Sequence, residues 1–89
     1  MELHVLLFAT FADVAGARTV RVEVTEPCTV AAMNRAVQRR LPALQAYDLQ
    51  KILVAVNQEM AHPDQRISAG DEVGIFPPVS GGAGWQNNS

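Results

Sequence analysis

The residues that invite a chemical reading lie near the end of the chain. Pro77-Pro78-Val79-Ser80-Gly81-Gly82 follows directly on a short apolar run. Neither proline has an N–H to donate, so sheet pairing must stop there. Two consecutive prolines favour a stiff, extended segment, which Val79 and Ser80 continue. Six such residues, at about 3.3 Å each, reach roughly 20 Å beyond the body. A glycine pair passes through a channel too narrow for any Cβ. On composition alone Gly81-Gly82 reads first as a flexible linker. The alternative is a probe, stiff at its root and thin at its tip. A phosphate-cradling loop fits less well, because Gly81-Gly82-Ala83-Gly84 lacks a lysine and no helix follows it.

Other reactive side chains form no constellation. His4 and His62 stand far apart in sequence, with no ligand-like spacing around them, so a metal site is not expected. Asp71-Glu72 is a carboxylate pair on paper, but Asp71 suits a turn and Glu72 the wet face of a strand. Arg39-Arg40 falls at a helix end, where positive charge is favourable without any partner. Cys28 precedes a helix N-terminus, a position that lowers a thiol pKa. It has no His or Asp beside it in sequence to make it a nucleophile. A free-standing enzyme is therefore the weakest functional class.

The elements that must position the tail can be read from periodicity. Residues 2–9 carry the run Val5-Leu6-Leu7-Phe8, which predicts a central strand buried on both faces. Residues 11–17 read as a connection with Gly16 as its turn signal. Val20, Val22 and Val24 alternate with polar residues, predicting a half-buried strand that can form a hairpin with the first. Thr29 is the predicted N-cap of a helix, although Ala32 leaves its capping box incomplete. Val30, Met33, Val37, Leu41 and Leu44 recur at spacings of three and four and define its apolar face. Asn34, Arg35, Gln38 and Arg39 lie off that face, and Pro42 ends the helix near Leu41. Residues 50–56 contain a second continuous apolar run, Asn57-Gln58 reads as a turn, and residues 72–76 form a last short strand. The order β-β-α-β-β, with one helix to cover one face of a mixed sheet of four or five strands, predicts an α+β roll of the β-grasp kind. Its first and last strands lie side by side in the centre.

Composition agrees and excludes alternatives. The chain has 89 residues, 48% of them apolar, enough for one domain with a modest core. Its 18% charged residues fall below the usual ~25%, which argues against a disordered chain. Seven Lys+Arg against nine Asp+Glu give a net charge of −2, the wrong sign for a phosphate-driven nucleic-acid binder. The lone Cys28 excludes an internal disulfide and a cysteine-based zinc site, and fits a reducing compartment. No signal or membrane segment is visible, so a cytoplasmic protein without membrane contact is the expectation.

The stretch Gly70-Asp71-Glu72-Val73-Gly74-Ile75-Phe76-Pro77-Pro78-Val79-Ser80-Gly81-Gly82 resembles the ending of the small subunit of molybdopterin synthase, a family of ubiquitin-like sulfur carriers. Further similarity lies in residues 5–16, in Thr29-Val30 and in Leu53-Val54-Ala55-Val56-Asn57-Gln58, so it spans residues 1–82 in order. The thiamin-pathway sulfur carrier is second choice, being shorter and without the Pro-Pro-Val. The resemblance implies a ubiquitin-like β-grasp domain over residues 1–80, a di-glycine at 81–82 and an extension at 83–89. It implies that the Gly82 carboxylate is adenylated by an E1-like enzyme using ATP and magnesium. A sulfurtransferase then supplies the sulfur of a thiocarboxylate. The tail, with Pro77, Pro78, Val79, Ser80 and Gly81, inserts into the large subunit, and the sulfur passes to a pyranopterin precursor. No cofactor stays bound, and the carrier contributes no general acid or base. By position, the family's apolar docking patch maps to Phe8, Met60 and Phe76; the alternative is that these are ordinary core or edge residues.

The chain departs from the family in one respect. Members normally end at the second glycine, whereas here residues 83–89 follow, which leaves Gly82 in a peptide bond with no carboxylate to activate. Those residues are small and polar around a single Trp85. They read as a pro-segment for a peptidase, a fusion remnant, an artificial addition, or the mark of a relative that only binds. Three functional classes follow: a sulfur carrier, a ubiquitin-like modifier joined through Gly82 to lysines, and an interaction domain that is never trimmed.

Overall fold

The computed structural model describes residues 1–78. Strand β1 (Glu2–Leu7) pairs antiparallel with β2 (Thr19–Glu23), the hairpin expected from the valine alternation. Helix α1 (Thr10–Ala15) joins them. A two-residue strand β3 (Cys28–Thr29) leads into helix α2 (Val30–Arg40), followed by 3₁₀ turns at Pro42–Ala46 and Leu49–Lys51. Then come β4 (Leu53–Val56), β5 (Glu59–Met60), β6 (Arg66–Ile67) and β7 (Val73–Phe76). The main sheet has the order β2-β1-β7-β4-β5, with β1 and β7 parallel at its centre and the other pairs antiparallel. β3 and β6 form a small second sheet. One long helix covers one face of a mixed sheet, which is the α+β, ubiquitin-like β-grasp arrangement.

Helix α2 follows its spacing. Thr29 caps it, its hydroxyl accepting the Ala32 N–H at 3.2 Å. Val30, Met33 and Val37 are buried against Leu3, Val5, Val22, Val54 and Ile75 in one core. The helix stops at Arg40, and Pro42 opens the following 3₁₀ turn. Asn34 does not lie off the apolar face as its polarity suggests. It is only 4% exposed, and its Oδ1 has no partner among the described residues. Val30, Met33, Asn34, Ala36 and Val37 are all buried, so the covered stripe of α2 is wider than its apolar residue types reveal.

Two further expectations need correction. The apolar runs of β1 and β4 are not buried on both faces. Leu3, Val5 and Leu7 are buried while Leu6 is half-buried and Phe8 exposed, and Val54 and Val56 are buried while Leu53 is exposed. With one helix there is cover for one face only, so the second apolar set of each strand stays at the surface. The connection over residues 11–17 is mostly helix. Phe11 is fully buried and meets Tyr47 edge-on at 4.9 Å, anchoring α1 to the turn after α2. Gly16 ends α1 in the left-handed region at φ 68°, its N–H donating to the Ala12 and Asp13 carbonyls.

Candidate functional site

The outer face of the sheet is built by register. Leu6 stands beside Gly74, Gly74 beside Ala55, and Ala55 beside Met60, so one row crosses four strands. Side chains alternate along each strand, which sets Phe8, Phe76 and Leu53 on the same face as that row. Phe8 and Phe76 stack with centroids 4.4 Å apart and rings 5° from parallel. Phe8 stays 38% exposed and Leu53 37%. A Cβ on Gly74 would come 2.7 Å from Phe8 Cε2, so the ring lies across β7 only because that position has no side chain. A hollow of about 90 Å³ opens there, lined by Leu6, Phe8, Ala55, Gly74 and Phe76 with Gln58 and Glu72 at its polar side.

Of the three residues mapped to a docking patch, the structure brings Phe8 and Phe76 together. Met60 is 61% exposed, stands two strands away from Phe76 on β5, and lines a separate groove with Leu53, Ile52 and Asn34. Leu6, Leu53, Ala55 and Gly74 belong to the same face and were missed. The signal for Gly74 was a glycine inside an otherwise apolar strand. For Leu6 and Leu53 it was the second phase of a continuous apolar run.

β7 carries the chain from this face to Pro77 and Pro78, both half-buried. Val79, Ser80, Gly81, Gly82 and the extension at 83–89 lie outside the described residues. The start of β7 is pinned by a polar clasp. Asp71 accepts the Ser68 N–H at 2.8 Å and the Asn57 side-chain amide at 3.1 Å. Asn57 in turn accepts the Glu72 N–H at 2.9 Å and donates its own N–H to the Glu72 carbonyl at 2.7 Å. These donors, the Ser68 amide first, hold the Asp71 carboxyl below the usual carboxylate range. The β4–β5 turn itself places Asn57 and Gln58 at φ 53° and 70°, so the turn read from the sequence is the tight type that suits a hairpin.

The remaining titratable groups stay apart. Burial pushes the Cys28 thiol up, contrary to the lowering expected beside a helix N-terminus, and its S–H donates to the Thr29 carbonyl at 3.3 Å. His4 is exposed, 3.4 Å from Glu2, and His62 is exposed in its loop. Among the described residues, no three His, Cys, Asp or Glu side chains converge as metal ligands would. No helix among them is long and apolar enough to cross a membrane. The site as built is an apolar, aromatic face at the root of a proline-stiffened tail. It offers a partner an apolar surface, with Glu72 the carboxylate on its rim.

Comparison with known proteins agrees with this geometry. A sequence model of the ThiS family matches residues 5–82. The Small archaeal modifier protein 1 of Haloferax volcanii is 44% identical over 85 residues, covering 85% of this chain and 95% of that protein. The molybdopterin synthase sulfur carrier subunit of Escherichia coli is 39% identical over 82 residues, covering 90% and 99%. A crystal structure of SAMP1 from Haloferax volcanii superimposes with a TM-score of 0.78 at 39% identity, covering 92% of this chain and 100% of that one.

Proposed function

The chain belongs to the ThiS family of ubiquitin-like sulfur carriers, and from that premise we propose that it is the sulfur carrier subunit of a molybdopterin synthase. The observation that carries this reading is the stacked Phe8–Phe76 face standing directly at the root of Pro77-Pro78. A partner that grips this face meets Pro77 and Pro78 directly beside it, and glycines such as Gly81 and Gly82 suit a passage where no side chain fits. The large subunit of the synthase is the partner that this assigns to the face, with Phe76 its aromatic anchor.

In this reading a peptidase first removes residues 83–89 and frees the Gly82 carboxylate. An E1-like enzyme with ATP and magnesium joins AMP to it and releases pyrophosphate. A carboxylate is a poor electrophile, and the acyl adenylate provides a good leaving group. Sulfide-level sulfur delivered by a sulfurtransferase attacks the acyl carbon and expels AMP, leaving Gly82 as the thiocarboxylate. That sulfur then passes to the pyranopterin precursor inside the large subunit, and water restores the Gly82 carboxylate. The carrier's own residues supply docking, aim and clearance.

A second reading has a specific observation behind it: a relative at 44% identity is a small archaeal modifier protein. In that case the activated Gly82 forms an isopeptide bond with a partner lysine. Intact-mass analysis of the protein from its own cells, with fragmentation of its C-terminus, separates the two. A chain ending at Gly82 with one carboxylate oxygen replaced by sulfur supports the carrier. Lysine conjugates through Gly82 without a thiocarboxylate support the modifier. Only chain ending at Ser89 overturns both.

A further inference from the structure

The sheet has a free edge at β2, on the side opposite the Met60 groove. The Leu7 N–H donates to the Arg18 carbonyl and the Val24 N–H to the Met1 carbonyl, at 2.8 and 2.9 Å, which sets the phase of the β1–β2 ladder. In that phase Val20 and Val22 turn their N–H and C=O groups toward β1, and Thr19, Arg21 and Glu23 turn theirs outward. No described residue hydrogen-bonds to those outward backbone groups.

Beside this edge runs the last turn of α2, and a trench lies between them. Two hollows of about 390 and 290 Å³ share Arg21 and Arg40. The buried Val20, Val22 and Ala36 form an apolar floor. Arg21, Arg39 and Arg40 gather here, three of the chain's seven Lys+Arg, although the net charge is −2. None of them makes an ion pair among the described residues, and Glu23 is the only acid lining the trench.

We propose that the β2 edge and its trench bind an extended acidic peptide segment of a partner protein as an added strand. Backbone groups of Thr19, Arg21 and Glu23 would pair with about five residues, some 17 Å of extended chain. Alternate side chains face the apolar floor, the acids between them share the outer face with Arg21, and acids beyond the paired residues meet Arg39 and Arg40. A second copy of this chain fits less well, because β2 pairing with β2 sets Arg21 near its own counterpart. The charges also guard the edge against indiscriminate pairing, which an acidic segment alone would relieve. This site is independent of the sulfur-transfer reading.

The test is an amide NMR titration of the full chain with a blocked eight-residue peptide alternating valine and aspartate. Shifts and slowed exchange at the Thr19, Arg21 and Glu23 amides, with Val20 and Val22 unchanged in protection, are expected. Arg39→Glu with Arg40→Glu should weaken binding about tenfold, and a lysine-for-aspartate peptide should not bind. Arg21→Pro removes one outward N–H while sparing the β1 ladder, so it should abolish binding. Should that variant fail to fold, the charge reversal and the lysine peptide decide. The proposal is overturned by shifts gathered at Phe8 and Phe76, by no shift at millimolar peptide, or by unchanged affinity on charge reversal. Edge amides that become protected with rising concentration of the chain alone would also overturn it, in favour of self-pairing.

Discussion

Gly74 shows how much one missing side chain can organise. A glycine inside a strand ordinarily weakens it, but here a Cβ would meet Phe8 Cε2 at 2.7 Å. Gly74→Ala should push the Phe8 ring aside rather than break the sheet, because that ring is partly exposed and can move. We expect a loss of about 1–3 kcal/mol in urea unfolding, together with loss of the mutual ring-current shifts of Phe8 and Phe76. Retention of those shifts would contradict the assigned clearance. Asp71 makes a second residue-scale case. Its folded pKa is lowered by the Ser68 and Asn57 donors, so its stabilising effect is complete above the ordinary carboxylate range. It is lost as pH falls through the lowered value. Urea midpoints measured from about pH 6 to pH 2 should therefore show wild type ahead of Asp71→Asn at the upper end and level with it at the lower. A constant gap would sink this assignment. Asp71 was legible as a turn residue. Its partner Asn57, fourteen positions away, was not, because only the fold brings the two turns together.

Helix α2 was legible because its three-and-four spacing repeats over an 11-residue helix and its cap residue is a threonine. Thr29→Ala removes the acceptor for the Ala32 N–H and should cost about 1 kcal/mol, read from the denaturant midpoint at unchanged slope. No change would mean that water satisfies that amide equally well. Helix α1 escaped notice because six residues hold fewer than two turns. It exists because Phe11 has a core to enter. β3 and β6 have two residues each, too few to show any period, and the buried pair Cys28 and Ile67 holds them together. Strands β1 and β4 were recognised as strands but misjudged in depth. A continuous run of apolar residues does not say which face is covered, and α2 covers only one face of this sheet.

At the scale of the molecule, the parallel β1–β7 pair sets the apolar outer face and the start of the tail at one end of the sheet. The proposed chemistry adds one requirement that no packing can meet, a free carboxylate at Gly82. A chain ended at Gly82 should support ATP–pyrophosphate exchange by its activating enzyme, and the chain continuing to Ser89 should not. Equal exchange by both would place the activated group elsewhere. Pro77 was legible as the residue at which sheet pairing stops, and β7 ends at Phe76 just before it.

Local physics therefore determined a great deal from sequence alone: the capped helix, the strands, the tight turn and the proline root of the tail. Each depends on residues a few positions apart, and such signals survive without any fold. Tertiary structure alone decided that Phe8 stacks on Phe76, that Gly74 makes room for it, and that Asn57 clasps Asp71. It also decided that Thr19, Arg21 and Glu23 face outward beside Arg39 and Arg40. Those relations join residues far apart in the chain, and they follow from sheet order and register, which no single segment encodes.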